Sequence, residues 1–128
     1  AHTPGDAFIW LPDQRVMFTG DIVYVDRMLG VNSYSASRSW LEVFDAMAAF
    51  EPEVLVPGHG GVTTLEQASK DTRNYLVFLR ETVMAFMDEG GTIENIGTLD
   101  LSSFNYLKNH EQLNGRNAQK VFQELEWE

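Results

Sequence analysis

The chain has 128 residues, with 19 Asp and Glu against 9 Lys and Arg, a formal net charge of −10, three His and no Cys. The acidic excess argues against DNA, RNA and anionic membrane surfaces, because binding those needs clustered cations to neutralise phosphates. The missing Cys excludes disulfides, thiol nucleophiles, Fe–S clusters and thiolate zinc sites, and no apolar run reaches the roughly 18 residues of a membrane span.

A hydrophobic content of 44% with 22% charged residues is ordinary for a globular chain, and the length suits a single unit over residues 1–128. The acidity is uneven. Residues 1–38 hold four acids and three bases, and residues 39–128 hold 15 acids and six bases, so nearly all the negative charge belongs to the later part.

In chain order, the apolar residues 7–11 read as a strand stopped by Pro12-Asp13, a turn signal in which Pro fixes φ and Asp bonds the nearby backbone. Residues 15–19 read as a second strand, which makes a hairpin. Gly20-Asp21 is expected to break it, with residues 22–25 extending or restarting it. Residues 28–38 are Ser-rich and irregular, hence a loop. Ser39 with Glu42 has the spacing of a capping box, and Trp40, Phe44, Met47 and Ala48 share one helical face up to Pro52. Residues 53–56 read as a short buried strand closed by Pro57-Gly58-His59-Gly60-Gly61. Thr63 with Glu66 opens a long helix with an apolar stripe at Leu65, Ala68, Thr72, Tyr75, Leu79, Val83 and Phe86, stopped by Gly90-Gly91. Residues 92–100 have no clear period. Asn114-Gly115 reads as a turn, followed by a short helix through Ala118, Val121, Phe122 and Leu125. Strands, helix, strand and helices in this order predict a layered α/β fold.

Three residues carry chemistry. His2 lies in Ala-His-Thr-Pro-Gly-Asp, Asp21 in Phe-Thr-Gly-Asp and His59 in Val-Pro-Gly-His-Gly-Gly, each beside Gly and the last two just past strands. Loops at strand ends collect functional groups in α/β folds. Two imidazoles and a carboxylate suit Zn, Fe or Mn. Each residue also has a plainer role open to it as a turn or capping residue, and their separations match no compact metal motif.

Together the three segments resemble the C-terminal half of the metallo-β-lactamase superfamily, with its αββα hydrolase fold. In that family a His stands in a Gly-His-Thr-x-Gly-type turn, a bridging Asp follows Thr-Gly and a last His lies in Pro-Gly-His-Gly. His2, Asp21 and His59 fall on these positions in order, and residues 8–21 are also family-like. The likeness covers residues 1–62, the motif-bearing strands, helix and loops; residues 63–128, mostly helical, fit loosely. It implies the C-terminal half of an αββα sandwich, one mixed sheet with covering helices.

The resemblance further implies that His2 ligates a first metal, Asp21 bridges two and His59 ligates the second. The metals would be zinc, two per full-length site, with Fe or Mn possible. A metal-bound hydroxide would attack the thioester, ester or lactone carbonyl of a small molecule. Asp21, where zinc β-lactamases place Cys or Ser, favours a glyoxalase II-like thioesterase, a lactonase or a related sulfur-metabolising enzyme. No His-x-His-x-Asp-His cluster is present, so four expected ligands are missing. The chain by itself is therefore expected to bind metal poorly and to be inactive. Its start at Ala1 rather than Met reads as truncation, which leaves cytoplasm or periplasm open.

The alternative is a metal-free structural or interaction module. Half a sandwich leaves a sheet face uncovered, so Phe8, Trp10, Met17 and Phe18 are expected to face solvent in part, and the chain to form a homodimer or pair with the missing N-terminal half. A third arrangement joins His2, Asp21 and His59 in one mononuclear site. His110 reads as surface. Tyr34 and Arg38, in the Ser-rich loop, read as pocket wall or plain surface.

Overall fold

Pro12-Asp13 turns the chain so that β1 (Ile9–Leu11) lies antiparallel to β2 (Val16–Tyr24), with Ile9 opposite Phe18, Trp10 opposite Met17 and Leu11 opposite Val16. The structure is a computed structural model that describes residues 1–128. After β2 the chain crosses through α1 (Ser37–Ala48) and returns as β3 (Val54–His59), parallel to β2. The mixed sheet has the order β1-β2-β3. Then follow α2 (Leu65–Ala68), a π-helical turn (Ser69–Arg73), α3 (Asn74–Asp88), two short 3-10 turns (Ile93–Thr98 and Ser102–Phe104) and α4 (His110–Leu125).

Strand alternation sorts the sheet residues onto two faces. Met17 and Leu55 are fully buried and pack with Phe44 and Met47 of α1 and Ala68 of α2. The opposite face carries Ile9, Leu11 and Phe18, which are 63%, 37% and 42% exposed. Of the four residues expected to face solvent in part, only Met17 departs: it is fully buried on the inner face, whereas Phe18 is exposed and Phe8 and Trp10 are half-buried against the Phe50 ring. A second, larger core joins Trp40 to Tyr75, Leu79 and Val83 of α3 and Ala118, Val121 and Phe122 of α4.

Gly20-Asp21 does not end the strand. The register shifts between Phe18 and Tyr24, and Gly20 takes φ +52°, so the strand continues through a bulge. The expected Ser39–Glu42 capping box does not form either. The helix begins at Ser37 after Ala36, which offers no side chain to cap it. The Glu124 carboxylate of α4 caps it instead, accepting from Ser37 N at 3.0 Å, Ser37 Oγ at 2.7 Å and Arg38 N at 3.2 Å. Ser39 Oγ also accepts from Ala1 N at 2.8 Å, which ties residue 1, beside His2, to α1.

The long helix caps at Thr64, one residue after the expected Thr63, and ends before Gly90 with its stripe as expected. Asn114-Gly115 is not a turn; both residues lie inside the 16-residue α4. The Asn114 side chain engages Tyr75 Oη at 2.9 Å and Leu101 O at 2.7 Å, so it does not compete for its own backbone. Asn117, also buried, accepts from Val31 N and donates to Leu29 O, each at 2.8 Å. These bonds pin the loop after β2, whose Met28, Leu29 and Val31 are buried despite its polar composition. No helix is long and apolar enough to cross a membrane.

Candidate metal centre

The fold brings His2, Asp21 and His59 together, although they are far apart in sequence. His2 Nδ1 lies 3.7 Å from Asp21 Oδ2, and His59 Nδ1 lies 3.3 Å from Asp21 Oδ1. Both Nδ1 atoms are buried and without a hydrogen-bond partner, an arrangement that is costly unless something fills it. Two donors on one tetrahedral zinc, each roughly 2.0–2.2 Å from the ion, lie roughly 3.4 Å apart. The two His–Asp pairs sit near that spacing, so these donors fit a metal taken pair by pair. No group of three or more His, Cys, Asp or Glu side chains in the chain is arranged to hold an ion by itself.

Glycine makes the juxtaposition possible. A Cβ on Gly58 would overlap Asp21 Oδ1 and lie 2.7 Å from the Gly20 carbonyl, so only Gly lets β3 pass this close to the β2 bulge. Gly60, at φ +97°, turns the chain against Val25. The Pro-Gly-His-Gly turn thus aims His59 at Asp21.

Tyr24, at the end of β2, joins the two imidazoles. Its ring stacks on His59 with centroids 4.5 Å apart and planes 10° apart, and its hydroxyl lies 3.4 Å from His2 Nε2. Asn32 Nδ2 lies at the same distance from His2 Nε2, and the buried Trp40 ring meets the His2 ring edge-on at 5.5 Å. Trp40 is itself held by donation from Nε1 to Ile22 O at 2.9 Å. Burial, and then the Asp21 carboxylate, pushes the Tyr24 phenol up to about 12 against the work of Arg27. The folded state therefore binds more protons than the unfolded state between pH 10 and about 12, so stability falls as pH rises across that window. Tyr24→Phe is expected to flatten this decline in a series of denaturation midpoints, and identical slopes would refute the assignment.

The π-turn fixes Tyr24 from behind. Thr72 Oγ1 accepts from Tyr24 N at 2.9 Å and donates to Tyr24 O at 2.6 Å. The fully buried Asp71 accepts from Asp26 N and Gln67 Nε2, each at 2.8 Å, and from Tyr106 Oη at 2.9 Å. Thr72→Val keeps the shape and leaves both backbone groups of Tyr24 unpaired. It is expected to cost about 1.5 kcal/mol in chemical denaturation, with recovery in Thr72→Ser.

Tyr24 and Asn32 are the site residues that sequence reasoning missed. Tyr24 was masked by its apolar strand. Asn32 lies two residues from Tyr34, in the loop already singled out. Tyr34 is 57% exposed and Arg38 pairs with Glu42 and Glu128, and neither contacts the imidazoles. His110 opens α4, its Nδ1 3.0 Å from Leu107 O, and takes no part in the site.

Residues 1–59 match the family model of the metallo-beta-lactamase superfamily. A linear primary-alkylsulfatase from Pseudomonas sp. (strain ATCC 19151) is 22% identical over 105 residues, which are 75% of this chain and 20% of that protein. The stereoselective inverting sec-alkylsulfatase Pisa1 from Pseudomonas sp. superposes with a TM-score of 0.72 at 20% identity, over 96% of this chain and 22% of that one. A double mutant of the sec-alkyl sulfatase PisA1 gives 0.74 at 20% identity, over 98% and 22%. At these identities the superpositions establish the fold, and the chain spans about a fifth of each relative's length.

Proposed function

Because residues 1–59 match the family model of the metallo-beta-lactamase superfamily, we propose that the chain is the C-terminal portion of a metal-dependent hydrolase of that superfamily in which His2, Asp21 and His59 are ligands. The observation that carries this is the pair of buried, unpartnered imidazole nitrogens on either side of one carboxylate. Asp21 is the shared residue, with Oδ2 toward His2 and Oδ1 toward His59. The donor set suits zinc, and also Fe or Mn. Bound zinc supplies Lewis-acid polarisation and an activated water. The chain's own residues orient the imidazoles: Tyr24 and Asn32 meet His2, and Tyr24 stacks on His59.

The substrate class is a small thioester, ester or lactone in a glyoxalase II-like reaction; the alkylsulfatase relatives add sulfate esters. The missing His-x-His-x-Asp-His ligands must come from outside these 128 residues, so the chain alone is inactive in this reading. Zinc titration of the intact protein that carries this chain tests it. Tight zinc binding is expected, weakened at least tenfold by His59→Ala or Asp21→Asn. Unchanged zinc content in a protein with both His2 and His59 replaced by Ala would overturn it.

A second reading, a metal-free module that pairs with a copy of itself or with a partner half, is favoured by one observation. The outer sheet face is apolar and open at Ile9, Leu11 and Phe18. Light scattering of the 128-residue chain is then expected to give a dimer that Phe18→Lys dissociates. A strict monomer at high concentration that also ignores the upstream half would sink this pairing.

A further inference from the structure

We propose that Arg27 is the anchor for an anionic oxygen group on the substrate, so that the hydrolase acts on negatively charged esters. The inference deepens the hydrolase reading and rests on it. Arg15, Arg38, Arg73 and Arg80 each pair with an acidic side chain. Arg27 and Arg116 pair with none, in a chain of 19 acidic residues; Arg116 is exposed on α4, whereas Arg27 is half-buried. Its Nε is buried and has no partner, and the side chain makes no hydrogen bond elsewhere, so the terminal nitrogens of the fork open to solvent. The guanidinium carbon lies 6.0 Å from the centroid of the Tyr24 ring, whose hydroxyl approaches His2 and whose face covers His59. A desolvated stem with an open planar fork is the form in which Arg holds carboxylate or sulfate through two parallel N–H···O bonds.

The position is also held firmly. Asp26, at φ +63°, bends the chain, its N–H bonds Asp71 and its carbonyl accepts from Lys108 N at 2.9 Å. The fork thus lies on fixed backbone at the rim of the centre.

The test has a binding arm and a kinetic arm, both on the intact protein. In the metal-free protein, butyrate and propanesulfonate are titrated against the Arg27 Nε–H resonance, separating a carboxylate source from a sulfate-like one. A saturable shift with at least one anion is expected, with affinity lost about tenfold in Arg27→Met and partly retained in Arg27→Lys. In the zinc-loaded protein, Arg27→Met is expected to raise KM about tenfold for a 4-nitrophenyl ester ending in a carboxylate, with kcat little changed and the neutral ester of equal length unaffected. No saturable shift with either anion, or equal loss on both esters, would overturn the anchor. Anion binding lost in Arg27→Met, in a wild-type protein that cleaves neither ester, would support the anchor and sink the hydrolase reading.

Discussion

Replacing Gly58 by Ala is expected to destabilise the protein by about 3 kcal/mol, toward the upper end of overpacking effects, and to drive Asp21 from its place between the imidazoles. The added methyl meets two obstacles of different stiffness. Asp21 Oδ1 is the end of a side chain and can rotate away, which is the functional damage. The Gly20 carbonyl, 2.7 Å from the new carbon, is backbone inside the β2 bulge and cannot yield without opening the β2–β3 pairing. Gly61→Ala is the control, since a Cβ there meets nothing within 4 Å, and its effect should stay within roughly 0.5 kcal/mol. Urea denaturation measures the stability, and the ring resonances of His2 and His59 report on the carboxylate. A Gly58→Ala protein with wild-type stability and unmoved histidine signals would refute the account.

Loss of Glu124 is expected to do comparable damage at a distance from the site. Its carboxylate accepts three hydrogen bonds at the start of α1 and lies 3.5 Å from Arg80 Nη1. Bonds to a charged acceptor are stronger than neutral ones, and the helix start would keep no other side-chain cap. Arg80 retains Glu128 at 2.9 Å, so the guanidinium is not stranded. The expected cost of Glu124→Ala is about 3 kcal/mol, dominated by the cap. Glu124→Gln keeps acceptor capacity and should lose about half as much. A double-mutant cycle with Arg80→Ala separates the two contributions, and a single-mutant cost under about 0.5 kcal/mol would show that α1 does not depend on α4 for its start.

The same residues show what could be seen in the sequence. The hairpin, the β–helix–β crossover and the buried stripe of the long helix were legible because Pro-Asp, Trp40–Phe44–Met47 and Tyr75–Leu79–Val83 act through local turn chemistry and period. So was the convergence of His2, Asp21 and His59 on one place, through their motifs. The rest was hidden because it depends on tertiary partners. Ser39 and Glu42 have capping-box spacing, but a carboxylate 82 or more residues downstream caps the helix. Asn114-Gly115 has turn composition, but Tyr75 and Leu101 take the Asn114 side chain. Asp21 stays in the strand because Gly20 can adopt positive φ and bulge. Tyr24 became a site residue only when Thr72, 48 positions away, fixed its backbone.

The π-turn at Ser69–Arg73 has a further consequence. Such a turn holds one residue more than the α-helical turn it replaces, and each residue rotates an α-helix by roughly 100°. Upstream of it the helix is phased to the sheet through Ala68; downstream it is phased to α4 through Tyr75, Leu76 and Leu79. Deleting one residue here would leave the helix uninterrupted but would force a choice. Either Asp71 and Thr72 keep their grip on residues 24–26 and the α3 stripe swings away from α4, or the stripe stays and the grip is lost. The extra residue works as a phase shifter between two cores, and in this protein a single-residue deletion in an otherwise tolerant helix should uncouple the centre from the body that supports it.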